Sequence, residues 1–224
     1  MSSCILIIGE SGTGKSTSIR TLKPDETYII EVIEKPLPFK NKYKKTLTDK
    51  NGTKIIGNIF VGAEYSKIIK AIQHIDKERP EIKNLVIDDF QYMMAAEFME
   101  KATEKGYQKF TELAQHTWEV IREAQYARPD LLFFFLTHSD LDQNGKYKVK
   151  TIGKLLDEKI TLEGLFTVVL HALIREGQYE FLTQHDGTHV AKSPIDLFDK
   201  KLIPNDLQYV KERLDHYYGQ DIPQ

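Results

Sequence analysis

A three-layer α/β domain with a mostly parallel central sheet is the fold class this sequence predicts, on three observations. Apolar, β-prone runs recur at residues 4–8, 28–33, 85–87, 131–136 and 167–172. Helical segments alternate with them, the pattern of strands joined by crossover helices. The first run passes directly into a glycine-rich turn, residues 9–14, that opens the next helix.

Residues 15–22 read as the helix after that turn, ended by Pro24. Tyr28-Ile29-Ile30-Glu31-Val32-Ile33 is a strand, stopped by Lys35-Pro36-Leu37-Pro38. Residues 40–60 form a lysine-rich hairpin insertion with Asn51-Gly52 as its turn, and Ile55, Ile56, Ile59 and Phe60 supply apolar contacts beside it. From Ala63 to Glu78, Ile68, Ile69, Ile72 and Ile75 share one helical face. Leu85-Val86-Ile87 is a buried strand opening onto Asp88-Asp89.

Residues 97–127 carry an apolar stripe of Phe98, Phe110, Leu113, Trp118 and Ile121, so they form one long helix or two in series, with Gly106 as a break. Leu131 to Leu136 is apolar throughout, a central strand covered on both faces and closed by Thr137-His138-Ser139-Asp140. A strand over 167–172 follows. Gly177 then starts a hairpin strand through Tyr179 to Thr183, which extends the sheet in antiparallel fashion, and Asp186-Gly187 makes a turn. Residues 206–218 form a short amphipathic helix with Leu207, Val210 and Leu214 inward.

The 224 residues suffice for one substantial core, so the chain is expected to be a single domain over 1–224. No apolar run reaches bilayer-spanning length and no leader pattern precedes the first strand, so no membrane partner is expected. The single cysteine, Cys4, excludes an internal disulfide; it reads as a buried core thiol of an intracellular, cytoplasmic protein. Net charge is −2, which gives no global signal of nucleic-acid binding. Lysine is nonetheless clustered. Lys35, Lys40, Lys42, Lys44, Lys45, Lys50 and Lys54 are opposed within their span only by Asp49, and Lys146, Lys148, Lys150 and Lys154 by no acid. Such patches can hold a polyanion, and Tyr43 and Tyr147 among them could stack on bases. The alternative is two solvated hairpins with ordinary surface lysines.

The stretch Gly9-Glu10-Ser11-Gly12-Thr13-Gly14-Lys15-Ser16-Thr17 fits G-x-x-x-x-G-K-[ST], the phosphate-binding P-loop. The backbone N–H groups of such a loop surround a phosphate. Lys15 would contact the β- and γ-phosphates and the Ser16 hydroxyl would coordinate Mg²⁺, with the Thr17 N–H near the α-phosphate. Asp88, at the end of an aliphatic strand downstream, would complete the Mg²⁺ environment. Asp89 or Glu34 could polarise the attacking water; spacing does not choose between them. Thr137 and His138 fall where a strand should end near the γ-phosphate, so His138 either senses nucleotide state or caps the strand. His185 and His189 flank a turn and lack a third ligand, which argues against zinc.

The chain also resembles the compact RecA-like ATPases encoded by tailed bacteriophages, which belong to single-strand annealing, recombination and replication modules. The resemblance spans nearly the whole length. It rests on Gly9 to Thr17, Lys35-Pro36-Leu37-Pro38-Phe39, Leu85-Val86-Ile87-Asp88-Asp89-Phe90, Gly153-Lys154-Leu155-Leu156, Glu163-Gly164-Leu165-Phe166, Ala191-Lys192-Ser193-Pro194 and Ile203-Pro204-Asn205-Asp206-Leu207. It implies Mg²⁺-dependent hydrolysis of ATP coupled to single-stranded DNA, in a homo-oligomeric ring or filament with ATP near the subunit interface. A phage annealing or single-strand-binding protein would be the partner.

The resemblance further implies a basic residue inserted from a neighbouring subunit, for which Lys192 is the first candidate and Arg175 the second. It also implies DNA contacts from the loop at 140–159, with Lys146, Lys148, Lys150 and Lys154. Lys42, Lys44 and Lys45 are further DNA-contact candidates on charge. The catalytic glutamate of the family matches Glu34 only approximately. Complete recombinases carry an additional N-terminal oligomerisation region that this sequence does not show, so the match is not to a complete recombinase. Two other classes fit a P-loop of this size. One is a small-molecule or nucleotide kinase, although arginines for a lid are sparse. The other is a nucleotide-gated accessory protein with little turnover.

Overall fold

A computed structural model describes residues 2–45, 47–48, 54–55, 57–153 and 159–219. In chain order its strands are β1 (Cys4–Gly9), β2 (Thr27–Glu31), β3 (Leu47–Thr48), β4 (Lys54–Ile55), β5 (Ile59–Val61), β6 (Asn84–Asp88), β7 (Leu132–Leu141), β8 (Tyr147–Val149), β9 (Val168–Arg175), β10 (Gln178–Leu182) and β11 (Leu202–Pro204). The α-helices are α1 (Tyr65–Glu78), α2 (Gln91–Glu100), α3 (Gln108–Tyr126) and α4 (Leu207–Gly219).

The main sheet runs β11-β10-β9-β1-β7-β6-β2-β5, and β8 pairs with the far half of β7. From β9 to β5 every pairing is parallel, while β10, β11 and β8 join antiparallel. Strand alternation explains the layers. Leu6, Ile30, Leu85, Ile87, Phe133 and Phe135 face α1, α2 and α3 on one side. Ile5, Ile7, Ile29, Val86, Phe134 and Leu170 face a short 3₁₀ segment, Ser16–Thr21, and α4 on the other. Apolar residues on both faces are what a doubly covered parallel sheet requires. The rings of Phe133, Phe134 and Phe135 are fully buried, each contributing about 2–3 kcal/mol by leaving water.

Several expectations need adjustment. The helix expected at 15–22 is 3₁₀ over Ser16–Thr21. The Ser18 Oγ donates to Lys15 O (2.5 Å) and Thr21 Oγ1 to Ser18 O (3.0 Å); hydroxyls returned to carbonyls three residues back favour the tighter turn. The segment at 97–127 is two helices, and α2 starts six residues earlier, at Gln91. Gly106 in the break has φ +97°, a left-handed conformation suited to glycine. Trp118 lies off the buried stripe of α3, which runs through Leu113, Thr117, Val120, Ile121 and Ala124.

The end of β7 differs most. Instead of closing at Asp140 it continues to Leu141 and returns as β8. The Asp142 carboxylate accepts the Asn144 and Lys146 N–H groups (both 2.8 Å), and Gly145 at φ +74° completes the turn. The 40–60 insertion contains the antiparallel β3–β4 pair, and the Asn51-Gly52 turn lies outside the described residues. Its last part, β5, was expected only to supply apolar contacts, yet it joins the main sheet beside β2.

Among the described residues no helix is long and apolar enough to cross a membrane. Cys4 is half-buried, and burial pushes its thiol up to about 12. Alkylation by iodoacetamide at pH 8 should therefore run at least about a hundredfold slower in the native protein than after unfolding. Equal native and denatured rates, read by mass spectrometry, would contradict this placement.

Candidate functional site

The parallel strands β1, β2, β6 and β7 deliver their C-terminal ends to one edge of the sheet, where open α/β folds hold ligands. The glycine-rich loop leaves β1 there. Gly12 (φ +83°) and Gly14 (φ +87°) take left-handed conformations that turn successive backbone N–H groups in one sense. A β-carbon at Gly9 would lie 2.6 Å from the Ala172 carbonyl oxygen, so the loop's first position has room only for glycine. Lys15 is 6% exposed, and its ammonium donates to Gly9 O (2.8 Å) and Glu10 O (2.7 Å) across the loop. Burial pulls its pKa down to about 8, with Asp89 and Asp88 limiting the drop.

Ser16 Oγ donates to Asp88 Oδ1 at 2.9 Å, joining the loop to the end of β6. Burial first, and the neighbouring Asp89 second, push the Asp88 carboxyl up to about 6. Asp89 follows at φ +61°, uncommon for a residue other than glycine and a mark of local strain. Burial raises the Asp89 carboxyl, but hydrogen bonds from His138 and Lys35 outweigh it and hold the group below its ordinary value. Lys35 pairs with its Oδ2, and His138 Nε2 lies 3.5 Å from Oδ1. Gln91 Oε1 accepts from Thr137 Oγ1 and His138 N, both at 3.1 Å, which locks the end of β7 against α2.

Glu34 is placed elsewhere. Its side chain is 70% exposed and paired with Lys45. The acid that converges is Glu31, only 4% exposed, the last residue of β2 and the register partner of Asp88. Ile29 and Val86 belong to the core cluster that includes Ile19 of the Ser16–Thr21 segment, so by alternation Glu31 and Asp88 project to that same face. Burial, the first cause, raises the Glu31 carboxyl.

The lysine candidates divide. Lys146, Lys148 and Lys150 sit on or beside β8, at the phosphate-loop edge, and Lys150 N donates to His138 O (2.9 Å). The acid-free run of sequence is not acid-free in space: Asp140 faces Lys148 across the hairpin, and Asp142 caps Lys146. Tyr147 stacks on His189 with centroids 4.8 Å apart, and burial first, then the nearby Glu10 carboxylate of the loop, raise its phenol. Lys154 lies outside the described residues.

Lys42 and Lys44 line a groove of about 510 Å³ with Pro24, Asn58 and Arg79, at the N-terminal ends of the strands and so away from the loop. Lys45 is committed to Glu34. Lys192 is exposed, and its backbone pairs in both directions with Val169, level with Leu6. That places it roughly 10 Å behind Gly9 along the sheet, outside its own phosphate loop. Among the described residues no group of three or more His, Cys, Asp or Glu side chains could hold a metal.

The donor set fits a nucleoside triphosphate with Mg²⁺. Lysine and loop N–H groups suit phosphates, while a serine hydroxyl bonded to a buried carboxylate suits a hard cation. Together, this sheet and loop define a P-loop NTPase of three-layer α/β architecture. A family model described as an AAA domain matches residues 1–195, and the chain belongs to that family: it is an ATP-binding, P-loop ATPase-type protein. A search of curated proteins found no match. Sequence reasoning missed Glu31, Gln91 and the nearness of Tyr147 to Glu10. A lone acid in a buried parallel strand was the available signal for Glu31.

Proposed function

We propose that the chain hydrolyses ATP with Mg²⁺ and couples that hydrolysis to single-stranded DNA bound along the β7–β8 hairpin, in phage recombination or replication. The observation that carries this reading is one continuous set of contacts. The lysine-bearing hairpin is bonded through Lys150 to His138, and its Tyr147 lies near Glu10, so a polyanion on it would bear on the phosphate loop and on Asp89.

Within this reading Lys15 and the N–H groups of residues 12–17 hold the phosphates, while Ser16 and Asp88 hold Mg²⁺. Bound ATP supplies the scissile phosphoanhydride. Glu31 accepts the proton of the attacking water, because it is buried on the loop's face while Lys35 and His138 are engaged by Asp89. Asp89, in contact with both of those side chains, orients His138. Lys192, exposed and behind its own loop, acts in the site of an adjacent subunit of a ring or filament.

The test is steady-state hydrolysis at low salt with no polymer, single-stranded DNA, duplex DNA or RNA, paired with a mass measurement of the nucleotide-bound state. Single-stranded DNA should raise the rate several-fold, and the bound state should be oligomeric. Low salt matters because phosphate-driven binding weakens steeply with ionic strength. Equal rates under all four conditions would rule out the coupling, and full activity in a monomer would rule out the role of Lys192. Phosphate appearing on an acceptor instead of in water would make the chain a kinase.

A further inference from the structure

Three side chains outside the phosphate machinery converge on the loop from the flank away from Asp88. In the order β11-β10-β9-β1-β7-β6, Asp88 on β6 and Tyr179 on β10 stand on opposite sides of β1. Tyr179 lies against Gly14: a β-carbon there would be 2.7 Å from its Cδ1. The ring is still 45% exposed, so it presents a flat aromatic surface beside the loop. Asn205, just past β11, is 2% exposed and is anchored by its N–H to Tyr179 O at 3.3 Å.

The Asn205 Oδ1 accepts from Arg20 Nη1 at 3.2 Å, and Arg20 also donates to Thr17 O at 2.9 Å. With Oδ1 engaged, the other end of the amide is Nδ2, a buried donor with no hydrogen-bond partner. It lies 3.3 Å from the same β-carbon position at Gly14, so it is aimed at the loop. An unpaired buried donor is costly to keep, and folded proteins seldom retain one that never meets a partner.

We infer that Tyr179, Arg20 and Asn205 form the subsite for the nucleoside part of the ligand. This rests on the nucleotide reading above. Ser16 and Asp88 place the terminal phosphates on one flank, so the base and sugar extend to the other. The base stacks on the outer face of Tyr179. Arg20 lies beside Thr17 to meet sugar or α-phosphate oxygens, and Asn205 Nδ2 donates to a ligand oxygen or ring nitrogen once the tyrosine ring turns to admit it. Asn205 lies beyond residues 1–195, the span of the family match.

The experiment compares binding of Mg²⁺-ATP and Mg²⁺-tripolyphosphate by calorimetry. The wild type should bind ATP about tenfold or more tighter than tripolyphosphate, and Tyr179→Ala should lose about tenfold for ATP while leaving tripolyphosphate within about twofold. Tyr179→Phe, which keeps the aromatic face, should bind ATP like the wild type. Asn205→Ala, with folding checked by circular dichroism, should weaken ATP alone. The inference is overturned if Tyr179→Ala leaves the ratio of the two affinities unchanged, or if the wild type does not distinguish the ligands. A wild type that binds neither would instead overturn the nucleotide reading.

Discussion

Lys15→Ala should reduce ATP hydrolysis by about 10²–10³-fold, because on the proposed reading it removes the charged donor that meets the transferring phosphoryl group in a water-poor site. Nucleotide affinity should fall with it, since the only cation in the loop is lost. The fold should survive. The side chain leaves Gly9 O and Glu10 O without an ammonium, but both belong to a loop at the sheet edge that water can reach once the side chain is gone. Phosphate release, calorimetric binding and a thermal melt read the three consequences separately. An unchanged rate would show that this loop is not the site of turnover.

The second large effect is expected at Glu31. Glu31→Gln keeps the volume and removes the proton acceptor, so hydrolysis should fall by about 10²–10⁴-fold with ATP binding retained. Asp89→Asn should cost less: it loosens Lys35 and His138 without removing the proton acceptor. Glu34→Gln, at an exposed ion pair with Lys45, should stay close to wild type. Single-turnover hydrolysis beside equilibrium binding separates these cases. Wild-type turnover in Glu31→Gln, with loss in Asp89→Asn, would transfer the role to Asp89.

The acids around the loop show how far the sequence could be read. The placement of Asp88 beside the loop was legible because an aliphatic run ending in aspartate, downstream of a P-loop, brings a carboxylate to the loop's edge of the sheet, where Ser16 bonds it. Choosing between Asp89 and Glu34 was not possible from spacing, and Glu31 was missed, since only sheet register separates acids at or just past strand ends. Register pairs Glu31 with Asp88, while the chain turns Glu34 out to Lys45. The lysine clusters follow the same rule for charge. Counting along the chain left Lys146, Lys148, Lys150 and Lys154 unopposed, whereas the β7–β8 hairpin brings Asp140 opposite Lys148 and Asp142 to Lys146.

The sequence alone determined the phosphate loop and the identity of most strands and helices, because these depend on contiguous residues. Left-handed glycines, a lysine and a hydroxyl at set spacing act within one turn of chain, and strand or helix periodicity is a local property. Tertiary structure alone decided which acid stands beside Asp88, and which lysines share an edge with the loop. It also brought Tyr179 and Asn205 against Gly14. Those are contacts between segments far apart in the chain: 72 residues separate Ser16 from Asp88, and 185 separate Arg20 from Asn205. Their partners are chosen by strand order, register and the face each residue presents, which no short stretch of sequence carries.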